Sequence, residues 1–194
     1  MPYVHGVNMG VKPYHHGDLR TALIAAGLGL LAAREGDDLS LREVARAVGV
    51  SANAVYRHFP DKRALMGALA LEGLAKLGAA QRAAAETAGG GVAGFNATGR
   101  EYVRFAMQNP ALFRLIFSNS VQPSLLSHSD GESSDAMGFL RANAAQFAPP
   151  GVDSSIFTLQ AWSMVHGLAM LILDGRVPLD DATIDAIFTG ASTQ

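Results

Sequence analysis

The chain has 194 residues and no cysteine. This absence excludes a disulfide framework, thiolate catalysis and zinc sites built on thiolates, and it suits a reducing cytosol. Charged residues make up only 16% and the net charge is −2, so the whole chain is not a polycation that coats nucleic acid or anionic membranes. Because no apolar core follows basic residues at the N-terminus, we expect no signal peptide.

Long hydrophobic runs are also missing. The most apolar stretch, residues 161–173, is shorter than a bilayer-spanning helix and includes His166 and Gly167. We therefore predict a cytoplasmic protein that has no membrane partner. Apolar residues still make up 49% of the chain, which is enough for a sizeable core and excludes disorder over most of it. The basic residues concentrate in the first half: residues 1–87 hold ten Lys and Arg against eight Asp and Glu, and residues 88–194 hold five against nine.

Apolar residues recur at helical spacing along almost the whole chain, and no strand pattern is sustained. The first helix is predicted over 18–35, with Asp18 as N-cap and Gly36 as its end. Ser40, Ser51 and Asp61 are predicted to cap the next three helices, which end at Gly49, at Phe59-Pro60 and near Thr87. Later helices are predicted over 93–108, 110–118, 133–147, 153–174 and 180–190, with a loop over 119–132. The predicted fold class is all-α.

Residues 40–59 match a helix-turn-helix, since two short capped helices flank a turn at Gly49. On a helical wheel, Ala52, Val55 and Phe59 lie on the inner side of the second helix. Asn53 and Arg57 point away, with Ala54 and Tyr56 on the flanks. Asn pairs with adenine, Arg with guanine or phosphate, and the Tyr hydroxyl with phosphate. Lys62 begins the next helix, where free amides also favour phosphate.

The stretch from Leu39 to Leu65 closely resembles the DNA-binding domain of TetR-family transcriptional regulators. The resemblance implies a three-helix domain over residues 1–60, with 51–59 as the recognition helix, followed by a helical dimerisation and ligand domain over 61–194. It implies that Ser40, Tyr56, His58 and Lys62 contact phosphates, and that Arg42, Ser51, Ala52 and Asn53 are candidates for base contacts. The role of Arg57 stays open, because many relatives carry an aromatic residue there.

Trp162, His166 and Gly167 resemble the Trp-x-x-x-His-Gly signature of one C-terminal domain class of this family. These residues either permit close helix packing or contact a ligand. The resemblance implies an effector pocket between the C-terminal helices, for which the candidate residues are Tyr102, Phe105, Phe113, Phe117, Gln160, Trp162 and His166. Because aromatics are frequent and charges sparse in these helices, we expect an apolar or aromatic effector, with Tyr102, Asn109, Gln160 and His166 as polar contacts.

The sequence thus predicts a homodimeric regulator that binds double-stranded operator DNA, a repressor that a small-molecule effector releases. The helices at 153–174 and 180–190 are predicted to form the dimer interface, through Leu159, Trp162, Gly167, Met170, Leu173, Ile184, Ile187 and Phe188. We expect no cofactor, no metal and no enzymatic activity, because no nucleophile–base pair, metal-ligand spacing or phosphate loop is found. The alternative is a helical small-molecule-binding protein that has no role in transcription.

Overall fold

A computed structural model describes residues 16–33, 39–118, 136–178 and 180–190 of the chain. Within these ranges the protein is entirely helical, which confirms the predicted fold class: an N-terminal helix-turn-helix unit is followed by a helical domain. The helices are α1 (His16–Ala32), α2 (Leu41–Val48), α3 (Ala52–Tyr56), α4 (Lys62–Thr87), α5 (Gly91–Gln108), α6 (Pro110–Ser118), α7 (Ala136–Phe147), α8 (Ser154–Leu173) and α9 (Asp181–Gly190).

The helix α4 joins the N-terminal unit to the helical bundle. Its first half packs on α1, where a Cβ at Gly27 would lie 2.9 Å from the Leu69 side chain. It also packs on α5, α6 and α7. At Gly73 an added Cβ would lie 2.7 Å from the Leu112 side chain of α6, so a larger residue would have to displace that side chain. Because one uninterrupted helix contacts both parts, a displacement of its C-terminal half can reach α1.

Two arginines tie the later helices together. Arg104 of α5 pairs with Asp185 of α9, with Nη2 and Oδ1 2.9 Å apart. Arg114 of α6 donates to the carbonyl oxygen of Leu173 and to the carboxylate of Asp174, at the C-terminal end of α8. A guanidinium at this end satisfies a free carbonyl and complements the helix dipole. These pairs fix the orientation of α8 and α9 against the bundle.

Several predicted boundaries differ from the observed ones. The first helix begins at His16, so Asp18 lies inside its first turn and is not the N-cap. It ends at Ala32, and the predicted stop at Gly36 lies outside the described residues, as do the predicted loop 119–132 and residues 1–15. The third helix ends at Tyr56, three residues before Phe59. Helix ends are the least specified feature, because caps compete over one or two residues.

The helix α8 is longer than the apolar stretch recognised in the sequence. It has 20 residues and is the one helix of the described chain whose length and composition would allow it to cross a membrane. Within α8, only 17% of the most apolar 18-residue stretch is buried in the protomer. A core helix of a soluble protein can have the same length and composition. The role of α8 therefore depends on what covers its exposed side.

Candidate DNA-binding surface and ligand cavity

The start of α2 is fixed by a reciprocal capping box. The Glu43 amide donates to Ser40 Oγ at 3.3 Å, and the Ser40 amide donates to Glu43 Oε2 at 2.9 Å, which confirms the predicted motif. The helix ends at Gly49, whose φ of 76° lies in the left-handed region that glycine tolerates. The Ser40 hydroxyl also donates to Glu43 Oε2 at 2.7 Å. A phosphate contact from this hydroxyl would therefore have to replace that hydrogen bond.

The helix α3 is positioned by its cap and by its buried side. Ser51 Oγ accepts a hydrogen bond from the Ala54 amide at 3.3 Å. Val55 and Phe59 are 0% and 1% exposed, so the inner face that the wheel predicted is in the core. Ala54 is also buried, although the wheel placed it on a flank, because α3 packs closely against α2. The Arg20 guanidinium of α1 lies 5.3 Å from the centre of the Phe59 ring, which holds the end of this segment against α1.

The predicted DNA contacts lie at the starts of α2 and α4 and along α3. His58 and Ala52 are half-buried, and the others are exposed: Ser40, Arg42, Ser51, Asn53, Tyr56, Arg57 and Lys62. Residues 40–63 hold five basic and two acidic side chains, although the chain as a whole is acidic. The two acids, Glu43 and Asp61, accept amide hydrogen bonds at helix starts. The surface therefore carries an excess of positive charge, as phosphate binding requires.

A second cluster of polar groups lies inside the C-terminal bundle. The Trp162 indole N–H donates to Tyr102 Oη at 3.2 Å, and Tyr102 Oη lies 2.9 Å from His166 Nδ1. Tyr102 Oη thus accepts from Trp162 and forms a second hydrogen bond with His166 Nδ1, in which it is the donor when the imidazole proton is on Nε2. Phe113 and Phe117 of α6 pack around these three rings. The cluster is thus a hydrogen-bonded chain enclosed by aromatic rings.

Burial keeps this cluster uncharged at neutral pH. It raises the pKa of the Tyr102 phenol far above its usual range, and the hydrogen bond from Trp162 offsets only part of this. It also lowers the pKa of the His166 imidazole, since the imidazolium would lose its hydration. His166 is therefore neutral at pH 7, and in the tautomer with the proton on Nε2 its Nδ1 accepts from the Tyr102 hydroxyl.

The lowered pKa of His166 predicts a pH dependence of stability. Between this lowered pKa and about 6.5, the unfolded chain binds the proton and the folded protein does not, so the free energy of unfolding rises with pH in that window. We expect the thermal midpoint to increase from pH 5 to pH 7.5 by more in the wild type than in His166→Asn, whose Oδ1 takes the position of Nδ1 and can accept from Tyr102. Equal increases in the two proteins would contradict this assignment.

A small cavity lies between α4, α5, α7, α8 and α9. Its volume is about 40 Å³, which is room for water or a group of a few atoms. Its lining is mostly apolar and carries no charged side chain: Gln81, Phe95, Asn96, Thr98, Gly99, Tyr102, Leu140, Ala161, Trp162, Met164, Val165 and Phe188. Gln81 was not predicted from the sequence, although it continues the buried stripe of Leu74 and Leu77 on α4. The sequence did contain a signal for it, because a glutamine at a core position of an Ala- and Leu-rich helix indicates a buried polar group.

Two of the seven predicted pocket residues line the cavity, and the other five do not. Tyr102 and Trp162 line the cavity. Phe113, Phe117 and His166 pack behind these two rings and do not border the cavity. Two further predictions are corrected: Phe105 is buried in the core away from the cavity, and Gln160 is exposed on the outer side of α8. Asn109, a predicted polar contact, borders a different groove between α1, α4 and α6.

The predicted dimer residues also separate into two groups. Leu159 and Ile187 are exposed, Met170 and Leu173 are half-buried, and a Cβ added at Gly167 would meet no atom within 4 Å. Trp162 faces the cavity, and Ile184 and Phe188 are buried within the protomer, so these three do not form its surface. Sequence reasoning missed the large apolar residues that α8 exposes beside Leu159, which are Ile156, Met164 and Leu171.

Comparison with known proteins agrees with this architecture. Residues 23–69 match the family described as bacterial regulatory proteins, tetR family, and residues 95–192 match the tetracyclin repressor-like C-terminal domain. No curated protein matches the chain.

Solved structures provide a further comparison. A protein of unknown function from Rhodococcus sp. RHA1 shares 32% identity, with a TM-score of 0.72 and coverage of 93% of this chain and 96% of its own. A TetR family transcription regulator from Marinobacter aquaeolei VT8 shares the fold at 20% identity, with a TM-score of 0.61 and coverage of 88% and 91%. The two matched domains, in the order helix-turn-helix and then helical bundle, establish that the chain belongs to the TetR family of DNA-binding transcriptional regulators, which are not enzymes.

Proposed function

We propose that the protein is a homodimeric repressor that binds operator DNA through α3 and leaves it when a small molecule occupies the C-terminal cavity. The observation that carries the proposal is the two-sided character of α3 and of the residues that follow it up to Phe59. Val55 and Phe59 fix one side in the core, and Asn53, Tyr56 and Arg57 are exposed on the other. A rigid helix that presents amide, phenol and guanidinium groups suits a major groove. The proposal puts the protein in the cytoplasm, because a bacterial operator lies there.

The exposed side of α8 supports a dimer. Ile156, Leu159, Met164 and Leu171 fall on one face of this helix, at helical spacing, and are between 39% and 55% exposed. Ile187 of α9 adds a further exposed apolar side chain. Contiguous apolar surface of this kind marks an interaction site. A second copy, related by a two-fold axis, would cover the same face on both protomers and pair two α3 helices for two half-sites.

A chain of contacts connects the cavity with the DNA-binding unit. The ring of Tyr102, in the cavity wall, meets the edge of Phe113 of α6 at a centroid distance of 5.3 Å. The neighbouring Leu112 packs against Gly73 of α4, and α6 also contacts α1. A ligand that displaces Tyr102 would thus shift α6 against α4 and α1. Coupling of this kind typically changes affinity by about 5- to 150-fold.

Substitutions on α3 test the DNA-binding assignment. Tyr56→Phe is expected to weaken binding to every sequence by about fivefold, because one phosphate hydrogen bond of about 1 kcal/mol is lost. Asn53→Ala is expected to change base preference, by about 1–3 kcal/mol for the preferred base pair. Both side chains are exposed, so the thermal midpoint should stay within one or two degrees of the wild type. Fluorescence anisotropy on the DNA upstream of the gene measures both effects.

The same titration separates the alternative function. A small-molecule-binding protein without a transcriptional role would bind this DNA no better than unrelated DNA, at any salt concentration. A regulator would show a specific component that survives at physiological salt. If neither Tyr56→Phe nor Asn53→Ala changes the affinity for the best site, α3 is not the recognition helix.

A further inference from the structure

We propose that Gln81 selects the ligand of the C-terminal cavity, and that this ligand is an uncharged, mostly apolar molecule with one N–H or O–H donor for Gln81 Oε1. The proposal deepens the function proposed above and rests on it for the consequence in transcription. Gln81 has no assigned role in the sequence analysis, and it is 5% exposed. It borders the cavity from α4, which contacts both α1 and the C-terminal helices.

The orientation of the Gln81 carboxamide follows from its neighbour. The Nε2 group donates to the carbonyl oxygen of Thr98 at 3.2 Å, so the nitrogen must face α5. The other half of the amide, Oε1, is buried and has no hydrogen-bond partner within the part of the chain that the structure describes. A buried acceptor without a partner is unusual and costly. A donor from outside the described residues would satisfy this acceptor, and the cavity that Gln81 borders is where such a donor can enter.

Three donors around the cavity already take part in hydrogen bonds. The Thr98 hydroxyl donates to the carbonyl oxygen of Phe95 at 2.7 Å. The Trp162 indole N–H donates to Tyr102 Oη, and the Tyr102 hydroxyl is hydrogen-bonded to His166 Nδ1. If one of these three groups turned to donate to Gln81 Oε1, it would lose its present hydrogen bond. None of them therefore supplies the missing donor without a cost in free energy.

A lone water is a poor substitute for a ligand at this place. A buried water typically makes about three hydrogen bonds, and most polar groups of this wall are already paired. The apolar remainder of the wall, with Phe95, Val165 and Phe188, favours a molecule with a hydrocarbon or aromatic body. No charged side chain lines the described wall, so an ionised ligand would lose its hydration without gaining a counter-ion.

The cavity must widen to admit such a molecule, since about 40 Å³ is below the volume of a typical ligand site. Met164 borders it and is 55% exposed, so this flexible side chain can move without opening the core. Met164 also belongs to the exposed apolar face of α8. A ligand that moves it would alter the surface that we assign to the dimer.

The test compares matched pairs of probes on the full-length protein without DNA. Phenol is compared with anisole and indole with 1-methylindole, because methylation removes the donor and keeps the body; benzoate serves as the charged probe. We expect the donor compounds to bind the wild type about five- to tenfold more tightly than their methylated partners, by calorimetry and thermal shift. Benzoate should not bind. Equal affinities within both pairs, or preferential binding of benzoate, would overturn the proposal.

Two variants locate the selectivity. Gln81→Met keeps the length of the side chain and removes Oε1, and it should bind both members of each pair equally. Gln160→Leu removes an exposed glutamine of α8 that does not border the cavity, and it should keep the wild-type preference. A preference that persists in Gln81→Met would refute the assignment to Gln81, and the wild-type comparison decides the ligand class even if this variant fails to fold.

Operator binding is measured separately, so that the two proposals fail independently. Donor-selective binding that leaves operator affinity unchanged would contradict effector release and support the role of Gln81. Specific operator binding by a protein that does not discriminate within either pair of probes would contradict the role of Gln81. It would leave the DNA-binding function supported.

Discussion

The substitution Leu159→Glu is expected to convert the dimer into a monomer and to weaken operator binding by about 100-fold or more, which is the scale of avidity lost when two linked sites act separately. Leu159 is 39% exposed on the apolar face of α8. In a two-fold interface, each protomer contributes the substituted residue. Two carboxylates must therefore lose their hydration against apolar surface. The change lies outside the protomer core, so each subunit should stay folded.

The matched control is Leu71→Glu. Leu71 is 61% exposed on α4. Its substitution therefore introduces the same carboxylate in place of an exposed leucine, but away from the apolar face of α8. Sedimentation equilibrium should give a dimer for the wild type and for Leu71→Glu, and a mass near 20 kDa for Leu159→Glu. A wild type that is monomeric at micromolar concentration, or a Leu159→Glu protein that stays dimeric with full operator affinity, would refute the interface. Recovery of the wild type in a membrane fraction would instead assign the apolar face of α8 to lipid.

The substitution Phe59→Ala is expected to reduce the free energy of unfolding by about 3–5 kcal/mol, the cost of a large cavity in a packed core. Phe59 is 1% exposed and lies three residues after the end of α3. Its ring also lies under the Arg20 guanidinium, so the truncation loses this contact as well. Because Phe59 holds α3 against α1, DNA binding should be lost together with stability.

Tyr56→Ala is the control for Phe59→Ala. Tyr56 is an aromatic residue of the same segment and is 47% exposed, so its truncation should change the free energy of unfolding by less than about 1 kcal/mol. It should nevertheless weaken DNA binding, because the phenol is lost. Urea denaturation and anisotropy together separate the two roles. A Phe59→Ala protein as stable as Tyr56→Ala would contradict the packing described for α3.

The helix-turn-helix could be predicted from the sequence because its signals are local. Ser40 and Glu43 form a capping box within four residues, and Gly49 ends the helix by a conformation that glycine alone adopts easily. The same reasoning placed Val55 inward and Asn53 outward, as observed. It failed at Asp18, because two further residues upstream of this cap extend the helix to His16. Local rules decide that a helix forms and leave its ends less certain.

The C-terminal domain could be predicted only in outline. Its helices are apolar on more than one side, so the sequence does not tell which side meets the protomer core. Ile184 and Phe188 were assigned to the dimer and are buried, whereas Ile156 and Met164 were missed and are exposed. The partnership of Trp162 with Tyr102 joins residues 60 positions apart. Contacts of this separation depend on tertiary packing, and no local pattern encodes them.

The central claim is that two α3 helices of a dimer read an operator with two-fold symmetry. Selection of bound sequences from random DNA duplexes by the full-length protein tests it most directly. We predict enrichment of two inverted half-sites whose centres lie a whole number of helical turns apart, and Asn53→Ala should change the preferred base at the same position of both half-sites. A selection that enriches no sequence, or enriches the same sequence in the wild type and in Asn53→Ala, would contradict the account.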